Sequence, residues 1–255
     1  MAPEAGRDGG TGAVSGTGSV SGTGAVRAWD LPTRLFKWGF VLLVLAGWLT
    51  HFGGDAWLVP HMWNGLAVLV LLVFRLLWGV VGSSTARFDR WVSTPWRAAA
   101  YGAALLGGRG RRYLGHNPLG AWMILALMAA VAAQAGSGLF MVDSNGISGG
   151  PFANTDPTAD PTPLQSALTS VHVRGILVIA GLAALHVAVN LAYQFLKHEP
   201  LIQAMVTGVK PAADYADEAA MRPAPALWLR AGLCLAGAAA LVLGGIKLLG
   251  GTLPG

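Results

Sequence analysis

The sequence predicts an all-α fold, a transmembrane bundle of four helices followed by a fifth transmembrane helix at the C-terminal end. Charged residues make up only 11% of the 255 residues, whereas a soluble domain has about 25%. Hydrophobic residues reach 54%. Five apolar segments each approach the roughly 20 residues that a helix needs to cross a bilayer. Their apolar runs are unbroken, which excludes the alternating pattern of a membrane β-barrel.

The N-terminal segment, residues 1–27, is rich in Gly, Ser and Thr and predicts a flexible cytoplasmic tail. It lacks the continuous apolar run behind a basic start that marks a signal peptide. Helical structure is expected to begin near Asp30, because its side chain can cap a helix and Pro32 suits the first turn.

The apolar runs place the membrane spans at about residues 34–52, 61–82, 118–141, 172–196 and 227–249. The first four spans form a predicted membrane domain over residues 28–210, and residues 211–226 form a linker to the fifth. Arg and aromatic residues among small apolar ones predict an amphipathic helix in the membrane interface over about residues 90–106. The polar segment 142–170 is expected to be an external loop.

The distribution of basic residues predicts the orientation in the membrane. Four Lys and Arg residues lie in the N-terminal segment, six in the second connection and four in the fourth, which is 14 of the 17 in the chain. The positive-inside rule therefore places the N-terminus in the cytoplasm and the C-terminus outside. The same distribution accounts for the basic charge balance without a nucleic-acid partner. The single cysteine, Cys234, excludes a disulfide framework, a thiolate metal site and a covalent CxxCH haem attachment.

Ionisable side chains inside a bilayer are costly, so those within the predicted spans are candidates for function. His172 and His186 are fourteen residues apart, which corresponds to about 21 Å along a helix and about 40° of rotation, so both project from one face. The same interval recurs in two other spans. Because successive spans run in opposite directions, these side chains form two levels, an outer level of His51, His61 and His172 and an inner level of Lys37, Arg75 and His186.

Two levels of imidazole and cation inside a helical bundle favour two b-type haems, each with its iron held between helices. Two imidazole ligands leave no open position on the iron, which suits electron transfer. Arginine can pair with haem propionates, and Arg75 at the inner level and Arg174 beside His172 are the candidates. The alternative for any single buried histidine is a hydrogen bond in helix packing.

Several motifs resemble those of a known family. They are Trp29-Asp-Leu-Pro-Thr-Arg-Leu-Phe, His61-Met-Trp-Asn-Gly, Phe74-Arg-Leu-Leu-Trp-Gly-Val-Val-Gly, Tyr113-Leu-Gly-His-Asn-Pro-Leu-Gly and Met205-Val-Thr-Gly-Val-Lys. The sequence resembles the prokaryotic cytochrome b-561 superfamily, which includes the cytochrome b subunit of nickel–iron hydrogenases, over about residues 28–210.

The resemblance implies a four-helix core with two haems b that passes electrons across the membrane. The partners it implies are quinone and a periplasmic redox protein, such as a cytochrome c or a hydrogenase-like subunit. By the same resemblance, His61 and His172 ligate the outer haem, and His186 is one ligand of the inner haem.

One position departs from the family pattern. The family places a histidine directly before the Trp of the first span as the second inner ligand, and here that position is Lys37. Three alternatives remain open at this stage. Lys37 could ligate the iron as a neutral amine, the inner haem could be five-coordinate on His186, or the inner site could be empty with Lys37 reaching the interface. His51 is not the missing ligand because it lies at the outer level.

Other polar residues are weaker candidates. His116 stands at the start of the third span and is either an interfacial helix-start residue or a contact for a propionate or quinone. His198 is expected to be interfacial and solvated. Three functional hypotheses follow. The first is a membrane electron carrier, the second is a quinone-coupled oxidoreductase acting on a small oxidant such as superoxide, and the third is a haem-free transporter or scaffold.

Overall fold

A computed structural model of the chain describes residues 24–141, 150–153 and 160–255. The helices are α1 (Leu31–His51), α2 (Leu58–Val81), α3 (Phe88–Trp91), α4 (Pro95–Leu106), α5 (Pro118–Gly138), α6 (Pro163–Leu196), α7 (Leu201–Thr207), α8 (Leu227–Ala239) and α9 (Gly245–Leu248). A π-helical stretch, Ala240–Gly244, joins α8 to α9. Two 3-10 helices, Asp55–Trp57 and Ser84–Ala86, and two short strands, β1 (Ala25–Arg27) and β2 (Val209–Pro211), complete the described elements.

The predicted all-α transmembrane bundle is confirmed. Five helical segments are long and apolar enough to cross a membrane, and each coincides with one predicted span. They are Leu31–His51, Asp55–Val81, Pro118–Gly138, Pro163–Leu196 and Leu227–Leu248.

Helix α2 lies at the centre of the packing, because it contacts α1, α5 and α8, while α5 packs along α6. A buried aromatic cluster joins α1 to α2, and it also includes Cys234 and Ala238 of α8. The fifth span is therefore attached to the four-helix core through α2. Many large apolar side chains on these helices are exposed, as expected for surfaces that face lipid.

Capping residues set the starts of the spans. Asp30 accepts a hydrogen bond from the backbone N–H of Thr33 at 2.7 Å and begins α1 as predicted. Asn117 begins α5, because its side chain accepts a hydrogen bond from the backbone N–H of Gly120 at 2.8 Å. Thr162 and Gln165 form a reciprocal capping box, which begins α6 nine residues earlier than the predicted position 172.

The predicted interfacial helix over 90–106 is broken into α3 and α4. Pro95 begins α4, and the preceding Thr94 has an extended backbone, with ψ of 151°. A residue before proline avoids the helical region, so one continuous helix cannot run through this point.

Residues predicted to be a tail and a linker form an ordered cap at the inner end of the bundle. Val26 of β1 pairs with Lys210 of β2 in an antiparallel register, and the N–H of Met221 donates to the carbonyl of Arg27 at 2.8 Å. We call residues 24–29, 112–117 and 198–222 the inner cap. Residues 1–23 of the predicted tail, and positions 142–149 and 154–159 of the predicted external loop, lie outside the described residues.

Hydrogen bonds from separate parts of the chain hold the inner cap together. The N–H groups of Ala28 and Trp29 both donate to the carbonyl of Gly208, at 2.8 and 3.0 Å. Gly208 ends α7 with a φ of +84°, a left-handed conformation that favours glycine. The carboxylate of Asp217 accepts from the N–H of Leu114 at 2.7 Å. The cap thus fixes Trp29 at the entrance to α1.

Candidate cofactor site

A cavity of about 480 Å³ lies in the outer half of the bundle and is lined by α1, α2, α5 and α6. Its walls are mainly apolar, and the polar side chains that line it include Thr50, His51, His61, Gln134 and His172. The volume falls in the range of sites for small molecules and cofactors, about 300–1,000 Å³. All three of these histidines belong to the predicted outer level.

His61 of α2 and His172 of α6 face each other in this cavity. Their ring centroids are 6.0 Å apart and the ring planes are perpendicular, at 89°. An imidazole nitrogen bonds a metal at about 2 Å, so two rings on opposite sides of one ion have centroids about 6 Å apart. The separation therefore fits two axial ligands of one iron.

Both rings are held through Nδ1. The Nδ1 of His172 lies 2.8 Å from the carbonyl oxygen of Gln134. The Nδ1 of His61 lies 2.9 Å from Oγ1 of Thr50, and this hydroxyl donates to the carbonyl of Ala46 at 2.8 Å. Since each Nδ1 donates to an acceptor, the Nε2 of each ring carries no hydrogen and can bind a metal. Hydrogen bonds of this kind fix the tautomer and the orientation of metal-ligating histidines.

The donor set at this level suits a haem better than a bare metal ion. Within the described residues, no group of three or more His, Cys, Asp or Glu side chains could hold a metal ion. His61 and His172 would hold the iron of a haem, and the porphyrin would supply the other nitrogen donors. Gln134 also leaves its buried Oε1 without a hydrogen-bond partner in the described part of the chain, next to His172.

A close contact between helices positions His172. A Cβ added to Gly138 of α5 would lie 2.8 Å from Cε1 and 3.0 Å from Nδ1 of that ring, so only glycine leaves room for it. Gly136, two residues earlier, has no atom within 4 Å of such a Cβ. Of these two glycines of α5, Gly138 is the one that contacts the site.

The remaining outer candidates lie at the edge. His51 lines the mouth of the cavity and is exposed, with its ring 5.2 Å from that of Phe52. Arg174 is exposed and does not line the cavity. Two residues along a helix correspond to about 200° of rotation, so Arg174 points away from the face of His172.

The inner level is arranged differently. The Nε2 of His186 accepts a hydrogen bond from the side-chain amide of Asn190 at 3.2 Å, and the same amide donates to the carbonyl of His186 at 2.7 Å. The Nζ of Lys37 lies 3.4 Å from the centroid of the Trp29 ring, which is a cation–π contact.

Arg75 is buried, with 3% of its surface exposed. Its guanidinium carbon lies 4.7 Å from the centroid of the Phe88 ring and 5.5 Å from that of Trp91. Its Nη1 has no hydrogen-bond partner among the described residues. Nearby in the inner cap, the Nζ of Lys210 donates to the carbonyl of Tyr113 at 2.9 Å.

His116 also belongs to this region. Its ring packs between Trp29 and Trp91, at centroid distances of 5.0 and 4.8 Å, and its buried Nδ1 has no partner within the described ranges. Burial lowers the pKa of His116 well below 6.5, and the nearby charges of Lys37 and Arg75 lower it further. The ring is therefore neutral at neutral pH. We call Lys37, Arg75, His116 and Lys210 the inner basic cluster.

Sequence reasoning missed the residues that orient the histidines. Thr50, Gln134 and Asn190 are single polar residues inside apolar spans, which is a weak signal, because such residues often serve only in helix packing. The sequence alone does not indicate a role for Trp29, because its contact with Lys37 depends on the folded inner cap.

Comparison with known proteins gives one match. A family model described as prokaryotic cytochrome b561 matches residues 28–208. This range includes every residue of the outer and inner levels. Of the inner basic cluster, only Lys210 lies outside it. No curated protein matches the chain, and no solved structure matches it.

Proposed function

The chain belongs to the prokaryotic cytochrome b561 family, and on that premise we propose that it is a b-type cytochrome of the bacterial inner membrane that transfers electrons between a periplasmic redox partner and quinone. The partner would be a soluble cytochrome c or a hydrogenase-like subunit. The N-terminus and the inner cap would face the cytoplasm, since 14 of the 17 basic residues lie on that side of the predicted spans.

The observation that carries this proposal is the facing pair of His61 and His172. When bound between them, a haem b supplies a centre that gains and loses one electron. The two imidazoles would hold the iron from both sides, Thr50 and the carbonyl of Gln134 would keep the rings oriented, and the apolar walls would exclude water. Two histidine ligands leave the iron no open position, so its role would be electron transfer.

The alternatives receive less support from this site. An oxidoreductase that acts on superoxide or another small oxidant would need an open position on the iron, and two facing histidines at 6.0 Å leave none at the outer level. A haem-free scaffold or transporter would have no need for two rings whose Nδ1 atoms are both anchored and whose Nε2 atoms are both free.

Transfer across the whole membrane, as the family resemblance implies, would require a second carrier at the inner level. The outer pair lies in one half of the bilayer only, and His186 is about 21 Å further along α6. Whether the route spans the membrane thus depends on what the inner level holds.

The test is the reduced-minus-oxidised absorption spectrum of the protein purified in detergent. The wild type is expected to show the α-band of a b-type haem. Substitution His61→Ala or His172→Ala should abolish that band, because each removes an axial ligand. His51→Ala is the matched control at the same level and should retain the band. A band that survives both ligand substitutions would refute the assignment.

A further inference from the structure

We infer that this chain holds one haem, on His61 and His172, and that its inner level binds no haem, so that electrons enter and leave the chain through its outer half. This inference rests on the proposed function above, since it concerns the number of haems in a b-type cytochrome. It departs from the two haems that the family resemblance implies.

The nitrogen atoms of the two levels are presented differently. At the outer level both rings donate from Nδ1 to an acceptor, which leaves each Nε2 without a hydrogen, and the two ring centroids are 6.0 Å apart. At the inner level the Nε2 of His186 already accepts from Asn190, a residue one turn away on the same helix. A histidine whose Nε2 is already occupied is a poor start for a second haem.

The side chain that replaces the family histidine contacts an aromatic ring of the inner cap. The Nζ of Lys37 lies 3.4 Å from the centroid of the Trp29 ring, which is the distance of a cation–π contact. Trp29 is in turn held by the inner cap through the carbonyl of Gly208, so the lysine has a fixed partner.

The inner basic cluster is also turned toward groups of the protein. Arg75 lies against the rings of Phe88 and Trp91, and Lys210 donates to the carbonyl of Tyr113. These contacts tie Lys37 and Lys210 to groups of the protein, whereas the Nη1 of Arg75 has no hydrogen-bond partner among the described residues.

The 480 Å³ cavity is lined by residues of the outer half, and none of Lys37, Arg75, His116 and His186 lines it. On the side that packs against α8, α1 and α2 contribute to a buried aromatic cluster in which Phe74 stacks on Trp78 with ring planes 9° apart. Trp78 is fully buried and donates from Nε1 to Oγ1 of Thr33 at 3.0 Å.

A single outer haem determines the route of the electrons. The periplasmic partner would reach the haem from the outer end, where exposed His51 lines the cavity. Quinone would have to approach the same haem from the lipid in the outer half of the bilayer. Net electron transfer through the inner half would not occur in this chain alone.

The haem-to-protein ratio of the purified full chain tests the inference. We expect about one haem b per chain in a pyridine haemochrome assay and a single wave in a redox titration. His186→Ala should leave the ratio unchanged, whereas His172→Ala on the same helix should reduce it to near zero.

The outcomes separate the inference from the proposed function. Two haems per chain, or a loss of haem in His186→Ala, would overturn the inference and leave the proposed function standing. A wild-type chain without haem would overturn the proposed function and the inference with it.

Substitutions at position 37 provide a second measurement. Lys37→His removes the cation and restores the donor that the family has, so the ratio should rise from about one toward two. Lys37→Met is the matched control, because it removes the charge without adding a nitrogen donor, and its ratio should remain at about one. A ratio that falls in Lys37→Met would show that Lys37 ligates a haem and would contradict the inference.

Discussion

Thr50 illustrates how one hydroxyl group sets the chemistry of the outer site. It lies within α1, donates to the carbonyl of Ala46 and accepts from the Nδ1 of His61 across the helix interface. Because the hydroxyl is an acceptor at this point, it selects the tautomer of His61 that leaves Nε2 free. Groups of this kind orient ligands and raise their basicity.

Replacement of this hydroxyl should weaken haem binding without changing the shape of the side chain. In Thr50→Val we expect haem to be held about 10- to 100-fold less tightly, the usual cost of losing such a hydrogen bond. The measurement is the transfer of haem to an excess of an apoprotein acceptor. Thr50→Ser retains the hydroxyl and should behave as the wild type. Equal transfer from the valine and serine variants would contradict the role of Thr50.

The candidate histidines also show what the sequence could not indicate. The fourteen-residue interval identified His61, His172 and His186 because helical periodicity is a local property. It could not distinguish the free Nε2 of His172 from the occupied Nε2 of His186. That difference depends on Gln134 of a neighbouring helix in one case and on the side-chain conformation of Asn190 in the other.

At the scale of elements, the packing of α5 against α6 positions the second ligand. Gly138 of α5 faces the ring of His172, and the carbonyl of Gln134 on the same helix holds its Nδ1. A small shift between these two helices would therefore move the ligand and its hydrogen-bond acceptor together.

A methyl group at the contact should disturb the site. In Gly138→Ala the new Cβ would meet the His172 ring at 2.8 Å, so the ring must shift away from the Gln134 carbonyl and the haem content should fall by half or more. The measurement is the haem-to-protein ratio after purification. Gly136→Ala adds the same methyl group to the same helix, where nothing lies within 4 Å, and should retain full haem content. Identical haem content in the two variants would contradict this account.

The elements that differ from the sequence predictions have physical reasons. Helix α6 begins early because Thr162 and Gln165 form a capping box. Both residues are visible in the sequence, but the polar residues around them do not resemble the start of an apolar span. The break between α3 and α4 follows from Pro95. The pairing of β1 with β2 joins segments about 180 residues apart, and apolar periodicity carries no information about such a contact.

At the scale of the whole molecule, apolar runs and charge distribution were sufficient to predict five spans and their order. The scarcity of charged residues makes each ionisable group within a span informative. The inner cap was not predicted, because segments such as 211–226 are polar and irregular and gain their order only from one another. The cap matters for function, since it fixes Trp29 beside Lys37.

The central claim is that one haem iron lies between the imidazoles of His61 and His172. Low-temperature electron paramagnetic resonance of the oxidised, purified protein tests it most directly, because the spectrum reports both the spin state and the number of distinct irons. The account predicts one low-spin ferric signal typical of two imidazole ligands, lost in His61→Ala. A high-spin signal, or a low-spin signal that persists in His61→Ala, would contradict it.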